Sequence, residues 1–227
     1  MNFIPVLSTL VTFSFAAAVF YRYRLRGGMH LLLWTFGLLF YGLGTLCEVI
    51  MGFAFNELVL KLWYLTGAML TAAWLGQGSL HLLVRKGKWV TALTFVLSAV
   101  SVLALVLVFI APLSGAQANY NVAGAISQQY KAILTRSGLT IFLTILLNIY
   151  GTLGLVGGAL YSAFLFWRKK ILAGRMAGNI LIAVGALSPA LAGAFVKAGM
   201  LDALYVSEFI GALLMFAGFM LATTGKK

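Results

Sequence analysis

GMHLLLWTFGLLFYGLGTLCEVIMGFAFNELVLKLWYLTGAMLTAAWLGQGSLH, residues 28–81, consists of two long apolar runs joined by a short turn at Asn56 and Glu57. Each run exceeds the roughly 20 residues that an α-helix needs to cross a hydrocarbon layer about 30 Å thick. Backbone polar groups must be satisfied internally in lipid, so the pair reads as a helical hairpin across a bilayer. Most of the chain's polar chemistry lies within it: Glu48, Gln77, and the two histidines His30 and His81.

The same pattern continues outward in both directions. Apolar runs over about 3–21, 89–110, 139–167, 178–198 and 204–224 join 29–53 and 58–84 to make seven. Composition agrees, with 63% hydrophobic and 9% charged residues and a mean hydropathy of +1.04, far from the soluble range. The sequence therefore predicts an all-α, polytopic membrane protein, a single seven-helix transmembrane domain over residues 1–227 with the lipid bilayer as its solvent. What remains between the runs is too short for a soluble catalytic domain.

Charge gives the orientation. Arg22, Arg24 and Arg26, then Arg85, Lys86 and Lys88, then Arg168, Lys169, Lys170 and Arg175, and finally Lys226 and Lys227 all fall on one side, leaving Lys61, Lys131, Arg136 and Lys197 for the other. The positive-inside rule then places the N-terminus outside and the C-terminus inside, as expected for a prokaryotic inner membrane. The first basic cluster follows its apolar run instead of preceding it, which marks a retained helix and not a cleaved signal peptide. A net charge of +12 distributed in this way sets topology, and nucleic-acid binding is rejected. The four acids, Glu48, Glu57, Asp202 and Glu208, gather toward the outer side, although acids contribute little to orientation. Cys47 is the only cysteine and reads as a small apolar helix residue.

Pro112 opens the one long connection. Within it Val122, Ile126, Tyr130, Ile133 and Leu134 fall at helical spacing, which fits an amphipathic helix on the outer surface or an ordinary polar loop. A weak internal likeness sets GLLFYGLG of the second run against GALSPALAG of the sixth, and TGAMLTAAWLG of the third against the seventh. That gives a three plus one plus three plan with repeats over about 1–84 and 137–225.

Ionisable groups inside a membrane are costly, so those present are the candidate site. Gly37, Tyr41, Gly44 and Glu48 share one face of the second run, with Glu48 one to two turns below the outer boundary. Glu48 reads as a ligand, cation or proton site, or as a structural hydrogen-bonding group. Glu208 lies at similar depth on the seventh run, on a face with Gly211, Met215 and Gly218. Lys197 is placed to neutralise either acid, and an ion pair is the structural reading. If both acids line one outward pocket with Tyr41, Tyr64 and Trp63, the pocket suits a cationic or amine-bearing ligand.

On the third run Tyr64, Gly67, Thr71, Trp74, Gly78 and His81 fall on one face. The glycines allow close packing, with Trp74 filling the space beside them. His81, with Gln77 one turn before it, reads as a satisfied interfacial imidazole, with a proton relay as the alternative. Asn148 on the fifth run reads as an interhelical hydrogen-bonding group. Ser188 and Pro189 interrupt the sixth, where a kink with its freed carbonyl toward protein or a cavity is expected. Two histidines and one cysteine form no haem or metal ligand set, and no catalytic constellation is present.

The pattern Trp34, Tyr41, Glu48, then Leu62, Trp63, Tyr64 and Gly67 resembles the seven-helix input region at the N-terminus of some bacterial sensor histidine kinases. The resemblance implies an outward-facing sensor whose signal leaves through the last helix. Because the chain ends two lysines after that helix, with no kinase domain, it implies a stand-alone module. The expected function is thus a non-enzymatic sensor or receptor-like module, or an accessory subunit, acting through a membrane protein partner or as a homo-oligomer. The alternative is a small transporter or channel with Glu48 and Glu208 as cation or proton sites.

Overall fold

The computed structural model describes residues 3–84, 87–169, 173–197 and 203–224, with the side chains of 190–197, 203 and 224 left aside. The described residues are helical, without a β-strand. In chain order the helices are α1 (Ile4–Arg26), α2 (Met29–Met51), α3 (Glu57–Leu83), α4 (Lys88–Ile110), α5 (Ile126–Ile133), α6 (Gly138–Arg168), α7 (Ala173–Lys197) and α8 (Ala203–Thr224). Among the described residues, six are long and apolar enough to cross a membrane: α1, α2, α3, α4, α6 and, over Leu204–Thr223, α8. The protein is therefore a multi-pass helical bundle with the character of an integral membrane protein. α7, 25 residues long with Pro189 inside it, packs among them.

Local chemistry accounts for the boundaries. Pro5 sits in the first turn of α1, where its missing N–H costs nothing. α1 runs to Arg26, beyond the apolar run, because arginine is a good helix former and its stem snorkels along the apolar surface. Asn56 caps α3 by accepting from the Val59 amide at 3.1 Å, and Ser137 caps α6 by accepting from Thr140. Lys61 pairs with Glu57 at 2.6 Å and also donates to the Phe109 carbonyl at 3.0 Å, tying α3 to the end of α4.

Six helices close a ring in the order α1, α2, α3, α6, α7, α8. Thr9 meets Thr45 between α1 and α2 at 3.0 Å. A Cβ on Gly44 would stand 2.9 Å from the Gly67 Cα of α3, and a Cβ on Gly76 would stand 2.6 Å from the Gly151 carbonyl of α6. Val156 and Ala159 of α6 pack with Ala183 of α7. Gly185 of α7 lies against Gly211 of α8, and Phe15 of α1 stacks on Phe216 at 5.0 Å. These pairings make neighbours antiparallel except α3 with α6 and α8 with α1, which are parallel. The basic stretches consequently collect at one end of the ring, the basic end, and Glu48, Glu57 and Glu208 lie toward the other, the acidic end.

Proline at 189 removes the hydrogen bond to the carbonyl four residues earlier, that of Gly185. This carbonyl faces Gly211, whose Cβ would stand 2.7 Å from it.

α4 lies outside the ring against α3. Its run is nearly all Val, Leu, Ala, Ser and Thr, which by sequence reads as a lipid-facing or linking helix, yet its hydroxyls prove to be the anchors. Trp74 donates to Ser101 at 3.1 Å, Gln77 donates to the Val90 carbonyl at 2.8 Å and to Thr94 at 2.7 Å, and His81 meets Thr94 at 2.8 Å. Tyr150 of α6 donates to the Gln77 side-chain amide oxygen. Gln77 is fully buried, so Gln77→Leu strips several groups of their partners at once. The expected cost is about 2–3 kcal/mol. In a chain of this size that lowers Tm by roughly 4–12 °C, measured by thermal unfolding in mild detergent.

Candidate functional site

α2 is a regular helix, so Tyr41, Gly44 and Glu48 keep the single face read from their spacing, and all three line a cavity of ≈ 680 Å³ in the acidic half of the ring. α8 brings Glu208 and Met215 to the same cavity, α6 brings Asn148, and α7 brings Pro189.

α3 behaves differently. Over Tyr64–Leu70 it winds as a π-helix, which leaves carbonyls without their usual partner. Thr71 donates to the Thr66 carbonyl at 2.8 Å, and Asn148 reaches across from α6 to the Ala68 carbonyl at 2.7 Å. Asn148 is thus an interhelical bond, and its target is the backbone that the π segment frees. The wider turn also rotates the C-terminal half of α3 by about 100° per added residue. Gly67 and Thr71 keep to the cavity, whereas Trp74 turns to α4 and packs edge-on to Phe36 and Phe40 instead of filling a glycine groove. The single face expected from Tyr64 to His81 is therefore split. Gln77 and His81 belong to the α3–α4–α6 network at the basic end, away from the cavity. Tyr64 stands behind the cavity wall, fully buried, sharing a hydrogen bond with Thr144 at 2.9 Å.

The long connection supplies the roof. Its ends are tied where Ser114 donates to the Ile133 carbonyl at 2.9 Å and Thr135 to the Pro112 carbonyl at 3.0 Å. Between them α5 turns Ile126 and Ile133 into the bundle, so it plugs the acidic end as part of the fold. Tyr130 lies 5.2 Å from the Trp63 ring and 5.5 Å from the Tyr64 ring, and the Arg136 guanidinium covers it at 4.9 Å. Burial pushes the Tyr130 phenol above its ordinary range, with Arg136 acting the other way, so it stays neutral. Lys131 stands exposed at the cavity mouth.

At the centre of this arrangement Glu48 and Glu208 line the same cavity, close enough for their carboxyls to interact electrostatically. Glu48 is 5% exposed and accepts from the Trp63 indole at 3.0 Å. Tyr41 donates at 2.8 Å to the backbone carbonyl of Glu208 and not to its carboxylate. One oxygen of each acid, Oε2, has no donor among the described residues. The only ion pair among those residues is Lys61 with Glu57, and the Lys197 side chain, expected as a partner for the acids, lies outside them. Two carboxylates at such range repel unless a proton or a cation is shared between them. Trp63 is the residue that spacing alone does not assign to Glu48: its bond runs between helices, where no periodicity rule reaches. Trp63→Phe removes that donor and is expected to cost about 1–3 kcal/mol. The loss should largely vanish in a Glu48→Ala background, where no acceptor faces the indole, as read from a double-mutant cycle on thermal unfolding.

Toward the basic end the cavity closes. Leu75, Leu155 and Met215 form its floor, and below them Phe15, Leu38 and Phe219 enclose an apolar void of only ≈ 30 Å³. No protein-family model, curated protein or solved structure matches the chain.

Proposed function

We infer that the chain is a receptor-like membrane module that binds a small positively charged molecule from the outer side and acts through a partner in the membrane. In this reading α7 is the seventh span, the acidic end faces outward and the basic end inward. The positive-inside distribution supports the orientation. The carrying observation is the Glu48 and Glu208 pair, facing each other with unpartnered oxygens in a cavity that reaches the acidic end and stops at an apolar floor. A cation between the carboxylates relieves their repulsion, and the aromatic rings around them suit an amine better than a hydrated ion.

The test is a thermal-shift screen of alkyl- and arylammonium ions against the purified protein. A ligand at about 100 times its Kd stabilises by ~2.7 kcal/mol, a rise of roughly 5–10 °C for a chain of this size. No rise with any ion of the panel overturns the reading. Transport is the second reading, favoured by Pro189, whose missing hydrogen bond weakens α7 beside the cavity. It predicts flux of the same ions into proteoliposomes that is lost in Glu48→Gln or Glu208→Gln, and flux unchanged in both variants eliminates it.

A further inference from the structure

Two hollows approach Glu48 from the acidic end, and they differ in charge. The mouth of the central cavity passes α5 and the exposed Lys131. The second hollow, ≈ 840 Å³, lies between the ends of α1 and α2, the loop at 120–124 and Tyr205 of α8. Its described side chains are mostly apolar or aromatic, Phe53, Tyr120 and Val122 among them, and among the described residues Glu48 is the only charged one it touches. Glu48 therefore belongs to both hollows. It is also the buried group with a carboxylate oxygen that lacks a donor, and Trp63 fixes its other oxygen in place.

We propose that this vestibule is an outer binding site for an organic ammonium ion with an apolar body, and that the ion passes from it to the central cavity along the Glu48 carboxylate. The proposal rests on the cation-binding reading above. The chemistry of the walls selects the class of ligand. A hard metal ion favours a cage of several charged oxygen ligands, whereas the described side chains of the vestibule offer one carboxylate beside aromatic faces, which suit an alkylammonium. Charge selects the route: Lys131 repels a cation at the other mouth, while the vestibule attracts it to a single negative group. An anion would meet the opposite field on both paths.

The experiment uses the full chain with Cys47→Ala and a reporter cysteine in the central cavity, Thr152→Cys, with Ala68→Cys as a second reporter. Each is reacted with a trimethylammonium-ethyl thiosulfonate and with its sulfonato-ethyl counterpart, and rates are normalised to those on free cysteine. The cationic reagent should react about tenfold faster or more, and Glu48→Gln should remove that preference. Filling the vestibule with Ala123→Trp or Val122→Trp, both on an exposed loop, should slow the cationic reagent by about tenfold and leave the anionic one unchanged. A cationic preference that survives both tryptophans overturns the route and leaves the cation-binding reading standing. Equal rates for the two reagents in the folded protein overturn both.

Discussion

Changing Glu48 and Glu208 together to glutamine should weaken binding of an ammonium ion about a hundredfold and at the same time raise the thermal stability of the empty protein. The two effects share one cause. Each carboxylate presents an oxygen with no donor among the described residues, and the two line one cavity close enough to interact. A bound ammonium supplies both donors and charge, and truncating one side of such a buried charged contact typically costs 2–5 kcal/mol, of which ~2.7 corresponds to a hundredfold. Glutamine keeps the shape but lets one amide donate to the facing carbonyl oxygen, so the repulsive pair becomes an ordinary hydrogen bond. Trp63 can still donate to the amide oxygen at position 48. Relief of the buried like charges should add about 1–3 kcal/mol, a Tm higher by roughly 2–4 °C for each. Titration calorimetry reads the first effect and thermal unfolding without ligand the second. A double variant that binds as tightly as the parent chain removes the site.

Gly151→Leu should abolish the folded bundle. A Cβ at Gly151 would overlap the backbone of Ala72 and Ala73, and Gly154 meets Gly76 almost as closely, with a Cβ 2.9 Å from its carbonyl. Overpacking against side chains costs about 1–3 kcal/mol because they can shift. Here the obstacle is the main chain of a helix fixed on its other side by α4, so α3 and α6 must separate. With total stability of only about 5–15 kcal/mol, loss of that contact leaves little. The control is Gly157→Leu on the same helix, where an added Cβ meets nothing within 4 Å and stability should hold. Size-exclusion chromatography and circular dichroism in mild detergent separate the two outcomes, and a monodisperse, helical Gly151→Leu protein would contradict the packing described.

Much of this fold can be read from the order of residues, because apolar length marks most runs to within two residues, while the first helix extends five residues further and that at Ala173–Lys197 begins five earlier, through their basic flanks. The face of α2 is equally legible, since a regular helix keeps Tyr41, Gly44 and Glu48 in line. The face of α3 is not: a π segment leaves no mark in hydropathy, and it turns Trp74 and His81 away from Thr71. α4 looks inert because its serines and threonines also bond back into their own helix, as Ser101 does to the Leu97 carbonyl at 2.7 Å, which hides their role toward α3. The spacing of Ile126, Tyr130 and Ile133 points to an amphipathic helix, but not to the protein interior as its apolar partner. Glu48 and Glu208 stand out as costly residues, while their meeting depends on ring closure, a property of packing that no single run encodes.

The ring has two parallel seams, and they are made of unlike material. Between α3 and α6 backbone rests on backbone through Gly76, Gly151 and Gly154. Between α1 and α8 the contact is a stack of phenylalanine rings, Phe15 on Phe216 and Phe219, with the Arg22 guanidinium holding the Thr223 carbonyl at 2.7 Å. Rings slide at little cost, whereas interlocked main chains do not. The two halves of the ring are thus joined by main chain along one seam and by side chains along the other. Glu48 sits on one half and Glu208 on the other, so the acidic pair bridges the two halves from within.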